Sequence, residues 1–402
     1  MILSLLYLLL PLSCFGAAFI KEYKNSRIWQ YSLISIIALF FCFGYMNGVD
    51  WKEYEMFYHS LCNGSDGLYY HMDFGYLWLN VLFINLGLSF WPFFILLRLF
   101  CFFSLIVLLS KFAGRNFWLC LGLFIGSDLI GIMIENAMRT TLSMAVFWLS
   151  CIAYCRLKNP TVFMIFLPIA ISLHNSALAL IPLLLLGAIF RRLRSLYVFF
   201  LFTGLFIAFS NQALFLDVLI YAGQFISDGR FVKYFSNPSG RFTAGQIFSV
   251  TNIVVLFVTG LFFFYRQKIE RYSNFMPMLL SFSLIWVLAY RMSTTVPIFT
   301  RIAFYFLPFF QITAVTLFKN IIKSNIAKIC LIAMIVHSLI VTYMLITSNH
   351  KYVPYSNYLF YALQGEDLSY SYRCEYNIKN SPFKSKDYTP PKSLVLGLIE
   401  GL

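Results

Sequence analysis

Long apolar segments dominate this sequence, and they constrain the fold more than any other feature because a soluble domain cannot bury so many of them. Roughly 20 apolar residues in an α-helix cross the hydrocarbon core of a bilayer. Of the 402 residues, 60% are hydrophobic and 11% are charged, whereas soluble domains carry about 25% charged residues. The sequence therefore predicts an all-α polytopic membrane protein with about 12 transmembrane helices. The predicted spans are 1–20, 29–46, 92–110, 116–134, 139–156, 161–173, 175–190, 195–210, 247–265, 275–290, 302–318 and 329–347.

A further apolar stretch, 74–88, is shorter than these spans and rich in aromatic residues. It ends at Gly87, and Pro92 follows soon after. We interpret it as a re-entrant or interfacial helix, because counting it as a full span would invert the membrane side of every later loop.

The distribution of basic residues predicts which side of the membrane each loop occupies. Lys and Arg concentrate in short cytoplasmic loops. With the N-terminus outside, six short connections on the inner side carry 16 of the 30 basic residues, opposed only by Glu22 and Glu270. Topology thus accounts for the net charge of +14, and nucleic acid is not implied as a partner. The six connections are 21–27, 111–115, 156–158, 191–194, 266–271 and 319–328.

The outer side carries the long connections, so we expect the function there. We predict a single transmembrane domain, 1–347, with outer loops 47–73 and 211–246 and a polar outer tail, 348–402. Loops longer than about 12–15 residues are uncommon unless they are functional or disordered. Cys62 and Cys374 lie in these outer segments, where a disulfide bridge can form. No spacing of Cys and His residues predicts a metal site or a cofactor.

The first candidate cluster combines carboxylates with aromatic rings in loop 47–73 and just after it. It consists of Gly48-Val49-Asp50-Trp51 with Tyr54, followed by Asp73-Phe74-Gly75-Tyr76. Aromatic faces stack on sugar rings while carboxylates accept sugar hydroxyls, so this composition suits glycan recognition. The alternative interpretation is a turn glycine, a solvated aspartate and an interfacial aromatic belt.

The second cluster places charged residues at the outer ends of predicted spans. Glu135 and Arg139 flank an outer turn, Asp128 lies on the same helical face as Glu135, and Arg98 lies at a depth similar to that of Asp128. Ionisable residues at this depth are candidates for function. The alternative is two structural ion pairs, Arg98 with Asp128 and Glu135 with Arg139.

The third and fourth clusters supply a histidine and several arginines. His174-Asn175-Ser176-Ala177 interrupts a long apolar stretch near the outer face, where a neutral imidazole can act as a base or simply cap a polar hairpin. Arginine presents a planar fork that matches phosphate, so outer arginines fit a pyrophosphate-bearing lipid or an anionic glycan. For Arg230 and Lys233 the alternative is a solvated loop cation. The basic set is Arg230, Lys233, Arg241, Arg291 and Arg301.

Six short motifs follow one another along most of the chain, and together they resemble the EpsG family. Members of this family are bacterial membrane proteins of exopolysaccharide and O-antigen clusters, generally taken to be Wzy-type polymerases. The family commonly has Arg-Gln where this chain has Arg139-Thr140, so the role of that glutamine is not transferred. The motifs are Gly48-x-Asp50-x-x-x-Tyr54, Asp73-x-Gly75-Tyr76, Arg139 before a helix of small residues, His174-x-Ser176-Ala177, Arg301-x-x-x-Tyr305-Phe306 and Tyr352-x-Pro354-Tyr355.

The resemblance implies a glycosyltransferase that joins polyprenyl-pyrophosphate-linked oligosaccharide repeat units of an O-antigen, capsule or exopolysaccharide. It places the protein in the bacterial cytoplasmic (inner) membrane, with the active site facing the periplasm. The implied partners are the lipid-linked oligosaccharides, the lipid bilayer and a chain-length regulator protein.

From the residue clusters and the family resemblance together, we expect His174 or Asp50 to act as the base, with Glu135 as a reserve. We expect Asp50, Arg139, His174, Arg291 and Arg301 to converge on one outward-facing cavity. The complete set expected to bind pyrophosphate or glycan is Arg139, Arg291, Arg301, Arg241, Arg98, Trp51, Tyr76 and Tyr355.

Two other functions are compatible with an outer-face cluster of ionisable residues. A flippase or transporter for lipid-linked sugars predicts charges near the bilayer midplane and two related halves of the chain. An outer-face glycan ligase or acyltransferase predicts nearly the same physical features as a polymerase.

Overall fold

A computed structural model of the chain describes most of the predicted membrane domain. The described residues are 2–20, 26–48, 50–64, 72–129, 131–135, 137–211, 250–296, 299–348, 352–353 and 355–364, with the single positions 217, 221, 372 and 375. Within these ranges the chain is helical and has no strand, apart from an isolated antiparallel bridge between Gly44 and Asn357. The predicted all-α class is therefore confirmed. Most of loop 211–246, Arg241 and Cys374 lie outside the described residues.

Sixteen α-helices form the described part of the chain, and every predicted span corresponds to helical structure. The helices are α1 (Leu6–Phe19), α2 (Arg27–Cys42), α3 (Trp51–Cys62), α4 (Phe74–Asn85), α5 (Phe90–Ala113), α6 (Phe117–Phe124), α7 (Met138–Leu157), α8 (Thr161–Leu173), α9 (Leu180–Arg192), α10 (Ser195–Ser210), α11 (Val250–Phe264), α12 (Arg266–Glu270), α13 (Met276–Thr295), α14 (Thr300–Thr316), α15 (Asn325–Ser348) and α16 (Tyr358–Gln364).

Six helical segments in the described ranges are long and apolar enough to cross a membrane. The other apolar helices are shorter than the roughly 20 residues that a span needs. The chain is thus a multi-pass helical membrane protein, while the count of about 12 spans and the outside N-terminus stay predictions. The six segments are Phe90–Leu129, Met138–Leu157, Asn175–Arg192, Met276–Thr295, Thr300–Ile321 and Asn325–Thr347.

The longest of these segments, Phe90–Leu129, contains two of the predicted spans. Its 40 residues would extend about 60 Å as one straight helix, twice the thickness of the hydrocarbon core. Gly114 has a φ of +51°, a conformation that disfavours residues with a Cβ. The α-helix therefore ends there, and α5 and α6 are separate helices.

The centre of the bundle is α14, which contacts α13, α7, α6 and α5. In the most apolar 18-residue stretch of the span that contains α14, 89% of the residues are buried, against 22% in the span that contains α15. Helices at the periphery instead expose Leu, Ile and Phe side chains, as expected of surfaces that face lipid. Residues at the start of α14 are consequently held by neighbours on several sides.

One helix was not predicted, because α3 lies within what the sequence presents as outer loop 47–73. Its buried residues Trp51, Tyr54, Phe57 and Tyr58 recur at helical spacing on one face. The next helix, α4, has 12 residues and is about 18 Å long, shorter than the hydrocarbon core. Its interpretation as a re-entrant or interfacial helix stays a prediction.

The beginning of the predicted polar tail packs into the helical domain. Ser356 and Asn357 pair with the segment that follows α2, through the hydrogen bonds from Tyr45 N to Ser356 O (3.0 Å) and from Tyr358 N to Phe43 O (2.8 Å). The Asn47 side chain also donates to Ser356 O (2.9 Å). This tether, formed by 43–47 with 355–358, joins a C-terminal segment to the loop that carries Gly48 and Asp50.

Candidate active site

A group of ionisable side chains surrounds Asp73, which immediately precedes α4. Its carboxylate accepts hydrogen bonds from Arg139 Nη1 at 2.6 Å, His174 Nδ1 at 3.0 Å and the Asn175 backbone N–H at 3.2 Å. An aspartate at this position usually caps its own helix, yet Asp73 makes no such bond. Its side chain instead joins the starts of α4 and α7 to the turn after α8. We call this region the dyad site after the pair Asp73 and His174, and we include Arg139 in it.

Gly75 explains how Asp73 reaches His174 across a separation of 101 residues. A Cβ at Gly75 would lie 2.5 Å from Ser172 Oγ and 2.9 Å from the Ser172 backbone, distances that real Cβ atoms do not adopt. Only glycine therefore allows the first turn of α4 to contact the last turn of α8. Since His174 follows that turn directly, this contact brings the aspartate and the histidine together.

The protonation of His174 follows from its burial and its charged neighbours. Burial lowers the pKa of His174, and the positive charges of Arg139 and Arg301 lower it further, which together outweigh the opposing effect of Asp73. The imidazole is thus neutral at pH 7. With Nδ1 donating its proton to Asp73, Nε2 carries the lone pair that can accept a proton.

Asp73 itself stays ionised and is a poor base. Burial raises the pKa of its carboxyl, but the hydrogen bond with His174 and the charge of Arg139 outweigh burial and hold the pKa below its ordinary value. Three donors already occupy its oxygens. Asp73 is therefore placed to orient His174 and to stabilise the imidazolium that forms when His174 takes a proton.

Arg139 connects the dyad site to α3. Its guanidinium binds Asp73. Burial raises the pKa of Tyr54, and the nearby Arg139 charge opposes this effect. The Tyr54 ring lies edge-on to Tyr76 at 5.3 Å. Asp50, at the start of α3, is close enough to Tyr54 for its charge to raise the Tyr54 pKa. The motifs around Asp50, Asp73, Arg139 and His174 thus meet in one region.

Arg301 approaches the same region from the first turn of α14. Besides burial, its positive charge lowers the pKa of His174. One helical turn later, the Tyr305 hydroxyl lies 3.4 Å from the Ser176 hydroxyl. Asp50, Arg139, His174 and Arg301 therefore lie in one neighbourhood, while their convergence on an outward-facing cavity stays a prediction.

Arg291 has a different setting. It is 1% exposed, donates from Nε to Ser210 Oγ at 2.8 Å and from Nη1 to Thr294 Oγ1 at 3.0 Å, and lies over the Phe206 ring at 5.9 Å. These partners belong to α10 and α13, and none of them is part of the dyad site. Its role in binding pyrophosphate stays a prediction.

Arg98 and Asp128 do not form the ion pair that the alternative interpretation predicted. Arg98 Nη1 donates to the Gly44 carbonyl at 2.7 Å, and the guanidinium lies 4.4 Å from the Phe94 ring centroid. Asp128 is hydrogen-bonded to Ser127 and to Gln311 Nε2. Arg98 thereby supports the tether, because Gly44 belongs to it.

Three aromatic residues expected to contact glycan are buried. Trp51 is 3% exposed and packs 5.5 Å from Trp91, and Tyr76 is fully buried beside Tyr54. Tyr355 donates to Phe40 O at 2.6 Å and stacks on the Phe40 ring, so it belongs to the tether. Their roles in glycan binding stay predictions.

Two expected site residues lie outside the part of the chain that the structure describes, and one residue of the dyad site was not in the expected set. Arg241 and the side chain of Glu135 lie outside the described residues. Asp73 was placed in the first candidate cluster and in a family motif, but it was not among the expected catalytic or binding residues. Among the described residues, no group of three His, Cys, Asp or Glu side chains is placed to hold a metal ion.

Comparison with known proteins gives one match, and it covers all the residues of the dyad site. The family model described as "EpsG family" matches residues 27–359. Searches of curated proteins and of solved structures found no match. The match spans most of the chain and contains each of the six motifs. The chain therefore belongs to the EpsG family, the family of Wzy-type polysaccharide polymerases.

Proposed function

We propose that this protein is a membrane glycosyltransferase that polymerises polyprenyl-pyrophosphate-linked oligosaccharide repeat units on the periplasmic face of the bacterial inner membrane. The contact between Asp73 and His174, braced by Arg139, carries the proposal. A neutral histidine oriented by a carboxylate is the arrangement that general-base catalysis of hydroxyl attack requires. The family adds the substrate class, a lipid-linked sugar.

His174 is the proposed base. A sugar hydroxyl of the acceptor attacks the anomeric carbon of the donor glycan, and its proton passes to Nε2 of His174. The bond between that carbon and the pyrophosphate oxygen breaks, so that polyprenyl pyrophosphate leaves with the bonding electrons. Asp73 stabilises the imidazolium that results, in the way that a carboxylate supports histidine in hydrolase triads.

Arginines supply the second requirement, which is stabilisation of the charge that develops on the leaving pyrophosphate. Arg301 is the first candidate because it lies near His174 and forms no ion pair with a described residue. Arg139 already binds Asp73, so we assign it mainly to holding the dyad. Arg291 and Arg241 stay candidates for a more distant phosphate or glycan contact, and Asp50 and Glu135 for accepting sugar hydroxyls.

The test compares His174→Ala with His337→Ala in a strain that lacks its own copy of the gene. His337 is exposed on α15, away from the dyad site, and serves as the matched control. At equal membrane levels we expect His174→Ala to abolish long polymer and His337→Ala to retain it. Full-length polymer from His174→Ala would remove His174 as the base.

The glycan that accumulates separates the proposed activity from related ones. Loss of a polymerase leaves single repeat units on the final carrier. Loss of an outer-face ligase or acyltransferase leaves unattached polymer or unmodified glycan, and loss of a flippase leaves lipid-linked units on the inner face. Single units from the His174→Ala strain support polymerisation, and either other pattern contradicts it.

A further inference from the structure

A chain of three hydroxyl groups, two of them buried, links α14 and α7 to α8 and to the turn after it. The Tyr305 hydroxyl donates to Ser143 Oγ at 2.8 Å. Ser143 Oγ donates to the Ala170 carbonyl at 2.7 Å, and the Ser176 and Tyr305 hydroxyls are 3.4 Å apart. Tyr305 and Ser143 are fully buried.

Counting hydrogens fixes the direction of this chain. Each hydroxyl has one proton to donate. Ser143 uses its proton on Ala170 and Tyr305 uses its proton on Ser143, so the remaining contact requires Ser176 to donate to Tyr305. The order is Ser176 to Tyr305 to Ser143 to the Ala170 carbonyl, and every hydroxyl donates once.

Both ends of the chain hold the backbone of His174. The Ala170 carbonyl that accepts from Ser143 also accepts the backbone N–H of His174 at 3.1 Å. Ser176 lies two residues after His174, in the 3₁₀ turn Asn175–Ala179, and the Ala177 N–H returns to the His174 carbonyl at 3.0 Å. The hydroxyl chain therefore bridges the residues before and after the histidine.

Tyr305 is itself anchored and connects this turn to the proposed phosphate site. Its backbone carbonyl accepts from Trp148 Nε1 at 2.9 Å, and its ring lies edge-on to Phe147 at 5.9 Å. Arg301 is one turn earlier on the same helix. A fixed Tyr305 thus sets the distance between Arg301 and the turn that carries His174.

We propose that Tyr305, with Ser143 and Ser176, is a positioning residue that aligns His174 with the pyrophosphate bound by Arg301. This inference rests on the proposed function, because it assigns a partner to the proposed base. Tyr305 does not exchange a proton with the substrate in this scheme. Its hydroxyl holds the histidine backbone, and misplacement of a catalytic group by about 1 Å can cost up to about 100-fold in rate.

Tyr305→Phe tests the proposal, since it removes one hydroxyl and keeps the ring. We expect polymer formation to fall about tenfold, as for a lost positioning hydrogen bond. Tyr58→Phe is the matched control, because Tyr58 is also buried but donates to the Leu88 carbonyl, away from the dyad site. Ser143→Ala should resemble Tyr305→Phe, and Ser283→Ala, which removes another buried hydroxyl, should not.

A second readout reports on His174 without any glycan. Diethyl pyrocarbonate acylates neutral imidazole, and mass spectrometry measures the modification of each histidine, with the exposed His59 as the internal reference. In Tyr305→Phe we expect His174 to react several-fold faster than in wild type, with the midpoint of its pH dependence moving towards the ordinary 6.5. Tyr58→Phe should leave both values unchanged.

The outcomes separate this inference from the proposed function. Reduced polymer together with faster His174 modification supports positioning. Unchanged modification overturns it, whether or not polymer falls, because the hydroxyl then does not hold His174. If His174→Ala retains full polymer, His174 is not the base of the proposed function, and the modification experiment still decides whether Tyr305 holds the histidine.

Discussion

Arg139 and Arg98 are two arginines held by hydrogen bonds of nearly equal length, yet their surroundings differ in kind. Arg139 donates to the Asp73 carboxylate at 2.6 Å, whereas Arg98 donates to the Gly44 backbone carbonyl at 2.7 Å. The side chain of Arg139 is 19% exposed, and Arg98 is 2% exposed. The two arginines therefore differ both in exposure and in the chemical nature of their partner.

The partners decide what each region can do. The dyad site joins a cation, a carboxylate and an imidazole, so its proton and charge distribution can change during a reaction. The tether joins side chains to backbone carbonyls, as in the bonds from Asn357 Nδ2 to Leu39 O and from Tyr355 to Phe40 O. It holds two chain segments together. Variants should therefore lose activity in the first region and stability in the second.

The largest expected effect is on rate, from Asp73→Asn. The amide keeps the size of the side chain but removes the charge that orients and stabilises His174, so we expect polymerisation to fall about 100-fold or more. Protein level and thermal melting should change little by comparison. The measurement is incorporation of labelled repeat units by purified protein in vesicles. A rate within threefold of wild type, roughly 0.6 kcal/mol, would contradict the account.

The pH dependence of the polymerisation rate in Arg139 variants tests how the Arg139 charge affects His174. A histidine with a lowered pKa stays neutral until the pH falls below 6.5, so the wild-type rate should decline only on acidification below that value. The same shift makes folding less favourable at low pH, because the unfolded chain then binds the extra proton. Since the Arg139 charge lowers the pKa of His174, Arg139→Ala should move the acid limb to higher pH.

Arg139→Lys is the control for this shift, because it retains the charge without the planar fork. We expect a reduced rate with an acid limb close to that of wild type. The pH dependence of initial polymerisation rates measures both variants. An acid limb that is the same in wild type, Arg139→Ala and Arg139→Lys would show that His174 does not set it.

Arg98→Leu should produce the opposite pattern from the dyad variants. It leaves the Gly44 carbonyl without its charged donor, and we expect a loss of about 2 kcal/mol in stability. Thermal melting in detergent measures this loss, while the rate per folded molecule should stay close to that of wild type. A selective loss of rate with normal melting would instead place Arg98 in substrate binding, as the sequence suggested.

Asn357→Ala gives the smallest expected effect, about 1 kcal/mol. Its side chain donates to Leu39 O and to the Tyr355 hydroxyl, and it accepts from Leu359 N. Asn325→Ala is the control, because the Asn325 side chain accepts a hydrogen bond from Lys328 Nζ at the exposed start of α15. Equal melting temperatures for the two variants would remove the tether as a stabilising contact.

The sequence predicted the all-helical class, but not which side chains contact one another. Apolar runs form helices because backbone groups in lipid must satisfy one another locally, and this requirement is visible in the sequence. The helix α3 was missed because its apolar face is interspersed with charges such as Lys52 and Glu53. The sequence therefore predicts helices best in segments that are uniformly apolar.

Long-range contacts explain the remaining differences. Nothing in the spacing indicates that Asp73 binds His174, since the contact depends on the approach of Gly75 to Ser172. The alternative interpretation that paired Arg98 with Asp128 was wrong, because Arg98 donates to the Gly44 carbonyl of the tether. These contacts arise from the packing of whole helices, which single-sequence patterns do not contain.

The most direct test of the catalytic dyad is a double-mutant cycle with Asp73→Asn and His174→Ala, measured as incorporation of labelled repeat units by purified protein in vesicles. If Asp73 acts through His174, removing the histidine makes the aspartate unimportant. We predict that the double variant is no slower than His174→Ala alone. Losses that multiply in the double variant would show that the two residues act independently and would contradict the dyad.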